Sequence, residues 1–151
     1  MKNFSIYLLI TFFTFSCSNF SKTKDLKSYL QHFDTDLIDY KIICIVPADG
    51  CGSCIDRTLK FSKKTKNDLL LIITSIYNKS IESTLKLYQI EKSAIISDNQ
   101  NLAISNGLVQ LISPCIYLIK SGKVIQVIDL SNDKDQDRIF EKVEKHLSVS
   151  D

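Results

Sequence analysis

The sequence lacks the features on which several classes of protein depend. Its 151 residues carry a formal net charge of only +2, and the cations are mostly scattered lysines, so nothing favours a nucleic-acid partner. The five cysteines, at 17, 44, 51, 54 and 115, are too few and too unevenly spaced for a small domain built on disulfides. Because 44% of the residues are hydrophobic, which is enough for one core, we expect a single folded domain.

Glycine is also scarce, and its placement is informative. Two of only four glycines, Gly50 and Gly52, flank Cys51 in the stretch PADGCGSCIDRTLKF. The cysteines of this stretch follow the β-rich apolar run YKIICIVP and lie where a helical pattern begins. At a helix N-terminus, unpaired N–H groups and the helix dipole stabilise a thiolate, which is the nucleophile in disulfide exchange. We therefore expect Cys51 to attack, Cys54 to resolve, and the glycines to leave Cys51 uncovered.

The first residues have the composition of an export signal. The 12-residue apolar run FSIYLLITFFTF follows a positively charged start and is shorter than the roughly 20 residues of a membrane-spanning helix. It ends at Ser16-Cys17, which resembles the lipobox of bacterial lipoproteins, a family in which the cysteine is lipidated and becomes the first mature residue. We expect a lipoprotein-type signal peptide over 1–16, a polar tether over 17–24 and an exported domain over 25–151, where disulfide chemistry is permitted. The alternative is a secreted protein in which Cys17 has no such role.

Hydrophobic periodicity predicts an α/β fold. Continuous apolar runs predict strands over 40–47, 69–74 and 93–97, and two further runs around Ser121-Gly122 are typical of an antiparallel hairpin. Amphipathic spacing predicts helices over 25–33, 53–64, 80–90 and 133–147, with a helical turn that ends at Gly107. After the first helix, the predicted order is therefore βαβαβ, a helical turn, a β-hairpin and a final helix.

These features resemble the thioredoxin superfamily, and in particular the extracytoplasmic TlpA/ResA-like thiol-disulfide oxidoreductases. The resemblance covers about residues 40–147 and depends first on the strand–CGSC–helix unit. It depends also on SPCIYLIKSGKVIQVI, which is similar to the family's proline-led strand, glycine turn and final strand. The segment EKSAIISDNQNLAISNGL is similar to the extra segment that these homologues carry. The resemblance implies a thioredoxin-like fold, with a central mixed β-sheet flanked by helices on both faces.

The resemblance also implies roles for individual residues and partners. Cys51 and Cys54 would form a redox-active disulfide, and Pro114 matches the family's cis-proline, which together with Ser113 would bind a substrate strand. No cofactor or metal is implied, and we expect a monomer. The expected activity is reduction or exchange of disulfides in envelope proteins, with electrons from a membrane thiol donor. We expect the enzyme to work in the periplasm or cell envelope, anchored to a membrane through a lipid on Cys17.

Three positions depart from the family pattern. Gly50 stands where an aromatic residue usually precedes the first cysteine, and the chain has no tryptophan. The buried acid that assists proton transfer in thioredoxin would fall near Ile45, which is apolar. The dipeptide between the cysteines is Gly52-Ser53 rather than Gly-Pro, and it brings no histidine or cation to stabilise the thiolate. We therefore expect a redox potential nearer thioredoxin's roughly −270 mV than DsbA's roughly −120 mV, and hence a reductase or exchange role.

Other interpretations use the same residue types. Cys51 and Cys54 could form a structural bridge, or could bind copper together with Cys115, although no histidine lies between residues 33 and 145. A peroxiredoxin-like peroxidase would use Cys54 after Pro47, but Cys51 stands where that family has Thr or Ser. We expect Cys44 to be a small core residue. Cys115 is expected either to pack in the core or to approach the dithiol.

Overall fold

The computed structural model describes residues 19–65, 68–90, 95–131 and 135–148. The predicted signal peptide over 1–16 and the predicted lipidation site Cys17 lie outside these residues. Within them, no helix combines the length and the apolarity that crossing a bilayer requires. The elements are α1 (19–31), a 3-10 helix (Leu37–Asp39), β1 (Ile42–Pro47), α2 (Gly52–Lys64), β2 (Leu69–Thr74), α3 (Asn78–Tyr88), β3 (Ile95–Asp98), α4 (Leu102–Ser105), β4 (Cys115–Lys120), β5 (Lys123–Asp129) and α5 (Gln136–Ser148).

The five strands form one mixed sheet in the order β3-β2-β1-β4-β5. Strands β1, β2 and β3 run parallel, whereas β4 pairs antiparallel with both β1 and β5. All six residues of β1 and of β2 are buried, because helices cover both faces of the sheet at its centre. This burial explains why both strands are continuous apolar runs in the sequence. The predicted α/β class and mixed sheet are confirmed.

Helices cover the two faces of the sheet with two separate apolar clusters. Since side chains alternate along a strand, Cys44 faces α2, α3 and α5, whereas Ile43 and Ile45 face α1 and α4. The cluster that contains Cys44 also contains Leu59 of α2 and Val143 of α5. The prediction of helices on both faces is confirmed.

The hairpin between β4 and β5 closes through Ser121 and Gly122. Both residues have positive φ angles, 50° and 67°, which suit a two-residue turn of the type that matches the twist of a hairpin. The predicted antiparallel hairpin is therefore confirmed, together with its turn. It makes β5 the last strand at one edge of the sheet.

The N-terminal helix differs from the sequence prediction. Residues 19–24, predicted as part of a tether, are helical. Two of their side chains bind the exposed backbone of β5: the Asn19 amide donates to the carbonyl of Ile125 over 3.3 Å, and the Val124 N–H donates to the Thr23 hydroxyl over 3.0 Å. These bonds occupy polar groups at a sheet edge, so the helix begins earlier than its apolar periodicity indicates. The tether prediction is wrong for residues 19–24.

Candidate active site

The two cysteines of the CGSC stretch lie where the central strand β1 passes into α2. After Pro47, the N–H of Gly50 donates to the Pro47 carbonyl over 3.1 Å, which closes a turn. Cys51 is the N-cap residue of α2, with an extended backbone, and Cys54 lies in the first turn. Cys51 is exposed, whereas only 1% of Cys54 is accessible to solvent. Both residues carry free thiols.

The environments of the two thiols differ in a way that matters for reactivity. Hydrogen bonds from the Cys54 thiol and then from the Ser53 hydroxyl lower the pKa of Cys51 to about 7. The Ser53 oxygen lies 3.4 Å from the Cys51 sulfur. Burial raises the pKa of Cys54, and its hydrogen bond to Cys51 raises it further. An accessible thiolate beside a buried thiol favours Cys51 as the attacking sulfur and Cys54 as the resolving one.

The loop before β4 lies directly against the dithiol. The backbone N–H of Cys51 donates to the carbonyl of Ile112 over 2.8 Å. A Cβ atom placed on Gly50 would lie 2.7 Å from the same carbonyl oxygen, whereas a Cβ atom on Gly52 would meet nothing within 4 Å. Gly50 is therefore required by the close approach of this loop. Cys51 is exposed, as we expected. The glycine at position 50 is needed because of the Ile112 carbonyl, whereas an added Cβ atom at position 52 would meet no obstacle.

The peptide bond before Pro114 differs from the expectation that the resemblance carried. No described peptide bond is cis, so Ser113–Pro114 is trans and the predicted cis-proline is wrong. The trans form is the more stable one before proline by about 0.5–1 kcal/mol. Hydrogen bonds on both sides hold the trans segment: Ile112 accepts from Cys51 over 2.8 Å, and Pro114 accepts from the Leu130 N–H over 2.9 Å.

Ser113 and Pro114 lie beside the dithiol loop but are themselves buried. The Ser113 hydroxyl donates to the carboxylate of Asp129 over 2.9 Å, so its polar group is already bound. Two apolar residues of this loop, Leu111 and Ile112, are 58% and 62% exposed. They present apolar side chains on the surface next to Cys51.

A second exposed apolar pair follows β2, at the same end of the strands as Cys51. Ile76 and Tyr77 are 58% and 62% exposed. The Ser75 hydroxyl donates to Asp49, two residues before Cys51, and accepts from the N–H of Tyr77 over 2.8 Å. Apolar side chains from two loops thus lie at the end of the strands where the reactive thiol lies.

One residue of the site was not found in the sequence. Gln136, the first residue of α5, is fully buried, and its side chain is hydrogen-bonded to Cys54. Its amide nitrogen also donates to the carbonyl of Leu130 over 2.7 Å. A signal was present, because position 136 lies on the same helical face as Phe140 and Val143, where a buried apolar residue is expected.

The remaining described cysteines lie in the core. Burial raises the pKa of Cys44 to about 12, and it also raises the pKa of Cys115. The Cys115 thiol donates to the carbonyl of Leu108 over 3.3 Å, on the face of the sheet opposite α2. Cys44 is therefore the core residue that we expected, and Cys115 packs in the core rather than approaching the dithiol.

These positions also bear on the metal and peroxidase interpretations. Among the described residues, no three His, Cys, Asp or Glu side chains are grouped as a metal site requires. Cys115 does not converge with Cys51 and Cys54, so the three-thiol copper site has no geometric support. A peroxidase needs a thiolate at Cys54, yet burial raises the pKa of this thiol.

Comparison with protein-family models finds no family that matches the chain. No curated protein matches it in sequence either. Function is therefore inferred from the geometry around Cys51 and Cys54.

Proposed function

We propose that the protein is a thiol-disulfide oxidoreductase that reduces or exchanges disulfides in other proteins. The observation that carries this proposal is the pairing of an exposed Cys51, whose pKa is lowered to about 7, with a buried Cys54 in the same helical turn. A structural bridge needs neither exposure nor a lowered pKa. A nucleophile in disulfide exchange needs both.

The reaction proceeds in two exchange steps. The Cys51 thiolate attacks one sulfur of a substrate disulfide, and the other substrate sulfur leaves as a thiolate that takes a proton from water. Cys54, after losing its proton, then attacks the Cys51 sulfur and breaks the mixed disulfide, so the second substrate sulfur leaves. The substrate gains two electrons and the Cys51–Cys54 pair becomes a disulfide. A membrane thiol donor would return the pair to the dithiol, and no cofactor takes part.

The surface around Cys51 supports a protein substrate. Two loops at the end of the strands where the thiol lies carry apolar side chains that are more than half exposed. They are Leu111 and Ile112 on one loop, and Ile76 and Tyr77 on the other. Exposed apolar side chains that form one contiguous patch are typical of interaction surfaces. They would contact apolar side chains that flank the substrate disulfide, and this contact surface takes the place of the Ser113–Pro114 strand site that we expected from the resemblance.

The arrangement of the sheet supports a thioredoxin-like fold. A parallel β1–α2–β2 unit with the dithiol at its first junction, followed by an antiparallel hairpin and a final helix, is the order that the resemblance implies. Strand β3 and α4 correspond to the extra segment of the TlpA/ResA-like proteins. The trans bond at Pro114 departs from that family, so the fold proposal depends on topology and on the dithiol.

We also propose that the protein is exported and anchored to a membrane of the cell envelope by a lipid on Cys17. The apolar run that ends at Ser16-Cys17 supports this proposal. Export would place Cys51 and Cys54 in a compartment where disulfides persist. The substrates would then be envelope proteins that contain disulfides or thiols.

A trapping experiment tests the proposed function. In full-length Cys54→Ser, the first exchange step proceeds and the second cannot, so we expect a stable mixed disulfide between Cys51 and a disulfide-bonded peptide. Mass spectrometry identifies the cross-linked cysteine, and full-length Cys51→Ser is the matched control that should trap nothing. Equal trapping by both variants, or no trapping by Cys54→Ser, would contradict the proposal.

A further inference from the structure

Gln136 is a buried polar residue whose side chain acts on the resolving thiol of Cys54. Its side chain is fully buried at the start of α5, while the neighbours on its helical face, Phe140 and Val143, are apolar core residues. A buried amide in such a place costs free energy unless its polar groups are bound. Its nitrogen is bound to Leu130, and its side chain is hydrogen-bonded to Cys54. Its oxygen has no hydrogen-bond partner within the described residues.

The orientation of this amide is fixed by Leu130, which is itself bound to the loop that approaches the dithiol. The Leu130 carbonyl accepts from the Gln136 nitrogen over 2.7 Å, and the Leu130 N–H in turn donates to the Pro114 carbonyl over 2.9 Å. One N–H of the amide is thereby bound, and the second remains for a sulfur. Cys54 is thus linked through Gln136 and Leu130 to the segment whose Ile112 carbonyl binds Cys51.

An amide is suited to a thiol that changes its protonation state. Its N–H donates to a thiolate, and its oxygen accepts from a thiol, so one side chain can bind either form. It does so without bringing a charge. A carboxylate in the same buried place would repel the thiolate and hold the proton on sulfur.

We propose that Gln136 is a positioning residue for Cys54, which orients this sulfur towards Cys51 and stabilises its thiolate when it closes the disulfide. This inference rests on the proposed oxidoreductase function. The step concerned is the second exchange: the deprotonated Cys54 sulfur forms a bond to the Cys51 sulfur, the bond from Cys51 to the substrate breaks, and the electron pair leaves on the substrate sulfur. The direction of the effect agrees with the lowering of the Cys54 pKa by this amide, against the larger effect of burial.

Aromatic disulfide reagents separate the two steps in the full-length protein. Cys51 attacks the reagent and releases one coloured aryl thiolate, and Cys54 then releases the second, so each step has its own absorbance phase. In Gln136→Met, which removes the amide at similar size, we expect an unchanged first phase. The second phase should slow by about tenfold or more at pH 7, with its pH midpoint raised, because a hydrogen bond to a charged sulfur is lost.

Two further variants make the test specific. Gln136→Glu keeps the shape and adds a charge, so its second phase should have a still higher pH midpoint. Gln126→Met, at an exposed glutamine of β5, is the matched control and should change neither phase. If Gln136→Met does not fold, Gln136→Glu alone decides, since a midpoint equal to that of the unmodified protein would overturn the inference.

The outcomes distinguish this inference from the proposed function. Release of two aryl thiolates by the unmodified protein, with the same second phase in Gln136→Met, would overturn the role of Gln136 and leave the oxidoreductase intact. A loss of stability in Gln136→Met with unchanged second-phase rate and midpoint would show a purely structural amide. Release of a single aryl thiolate by the unmodified protein would overturn both proposals.

Discussion

The reactivity of Cys51 depends on hydrogen bonds from the Cys54 thiol, the Ser53 hydroxyl and the backbone N–H groups of these two residues, which lower its pKa to about 7. The alkylation rate should therefore rise with pH up to a midpoint near pH 7 and level off above it, whereas an ordinary cysteine has a midpoint near about 8.5. In Ser53→Ala the midpoint should move upward, because a donor to the thiolate is lost. The exposed Ser28→Ala should leave it unchanged. Rates of iodoacetamide labelling at Cys51, followed by mass spectrometry, provide the measurement, and a midpoint at 8.5 or above in the unmodified protein would be inconsistent with this site.

Gly50 and Gly52 provide a matched pair of substitutions beside the same thiol. In Gly50→Ala the added Cβ would lie 2.7 Å from the Ile112 carbonyl oxygen, so backbone has to move and the bond from Cys51 is disturbed. We expect a loss of about 1–3 kcal/mol in the free energy of unfolding. Gly52→Ala adds a methyl group to open space in an exposed first helical turn, and it should be neutral or stabilising by up to about 1 kcal/mol. Urea unfolding of the reduced proteins measures both, and equal losses in the two variants would refute the close approach.

Strand β3 and helix α4 are joined by one buried carboxylate. Asp98 accepts from the hydroxyls of Tyr29 and Thr74 over 3.3 and 2.9 Å, and from the N–H groups of Leu102 and Ala103 over 3.0 and 2.8 Å. Asp98→Ala leaves these donors without their acceptor in the core. We expect it to lower the free energy of unfolding by about 3 kcal/mol or more, as measured by urea unfolding.

Two variants test whether the acceptors of this carboxylate cause the effect. Asp98→Asn keeps one oxygen and should lose less than Asp98→Ala. Asp39→Ala, at an exposed carboxylate in the 3-10 helix, should remain within about 0.5 kcal/mol of the unmodified protein. A similar small change in Asp98→Ala would mean that the network does not hold β3 and α4 together.

Elements that depend on local pattern were predicted well from the sequence. Strand β2 has the predicted bounds, since LLLIIT is a continuous apolar run, and α2 begins one residue before the predicted start. Helix α3 was less well placed. It begins at Asn78 rather than at the predicted Ser80. Its N-cap residue Tyr77 makes no side-chain capping hydrogen bond, so the sequence has no capping signal at the true start of the helix. The N-terminal part of α1 depends on bonds to β5, which no local pattern contains.

For the site, too, the features that depend on neighbouring residues could be predicted and those that depend on distant segments could not. The Cys51–Cys54 pair and its place at a helix start follow from neighbouring residues. The carbonyl of Ile112, the trans bond at Pro114 and the amide of Gln136 come from segments far away in the chain, and only packing brings them to the dithiol. The Ile112 carbonyl and the trans bond belong to the backbone and have no signal of their own in the sequence. For Gln136 the sequence holds only an indirect signal, a polar residue on the apolar face of a helix.

At the scale of the whole molecule, the redox potential measures how the fold favours the dithiol over the disulfide. A strong oxidant such as DsbA has a thiolate with a pKa near about 3.5, and its reduced form is stabilised; thioredoxin has a pKa of about 7. The pKa of Cys51 is about 7, and no cation is among the groups that lower it. The fold therefore gives the reduced form little extra stability, which favours a reducing protein.

Equilibration of the full-length protein with dithiol and glutathione buffers of known potential tests this account most directly. The fraction of the Cys51–Cys54 disulfide at each potential is read from alkylated peptides by mass spectrometry. We expect a reversible two-electron transition at these two cysteines, nearer roughly −270 mV than roughly −120 mV, with Cys44 and Cys115 remaining thiols throughout. A potential as high as roughly −120 mV would contradict the reducing role, and the absence of any reversible Cys51–Cys54 disulfide would contradict the oxidoreductase itself.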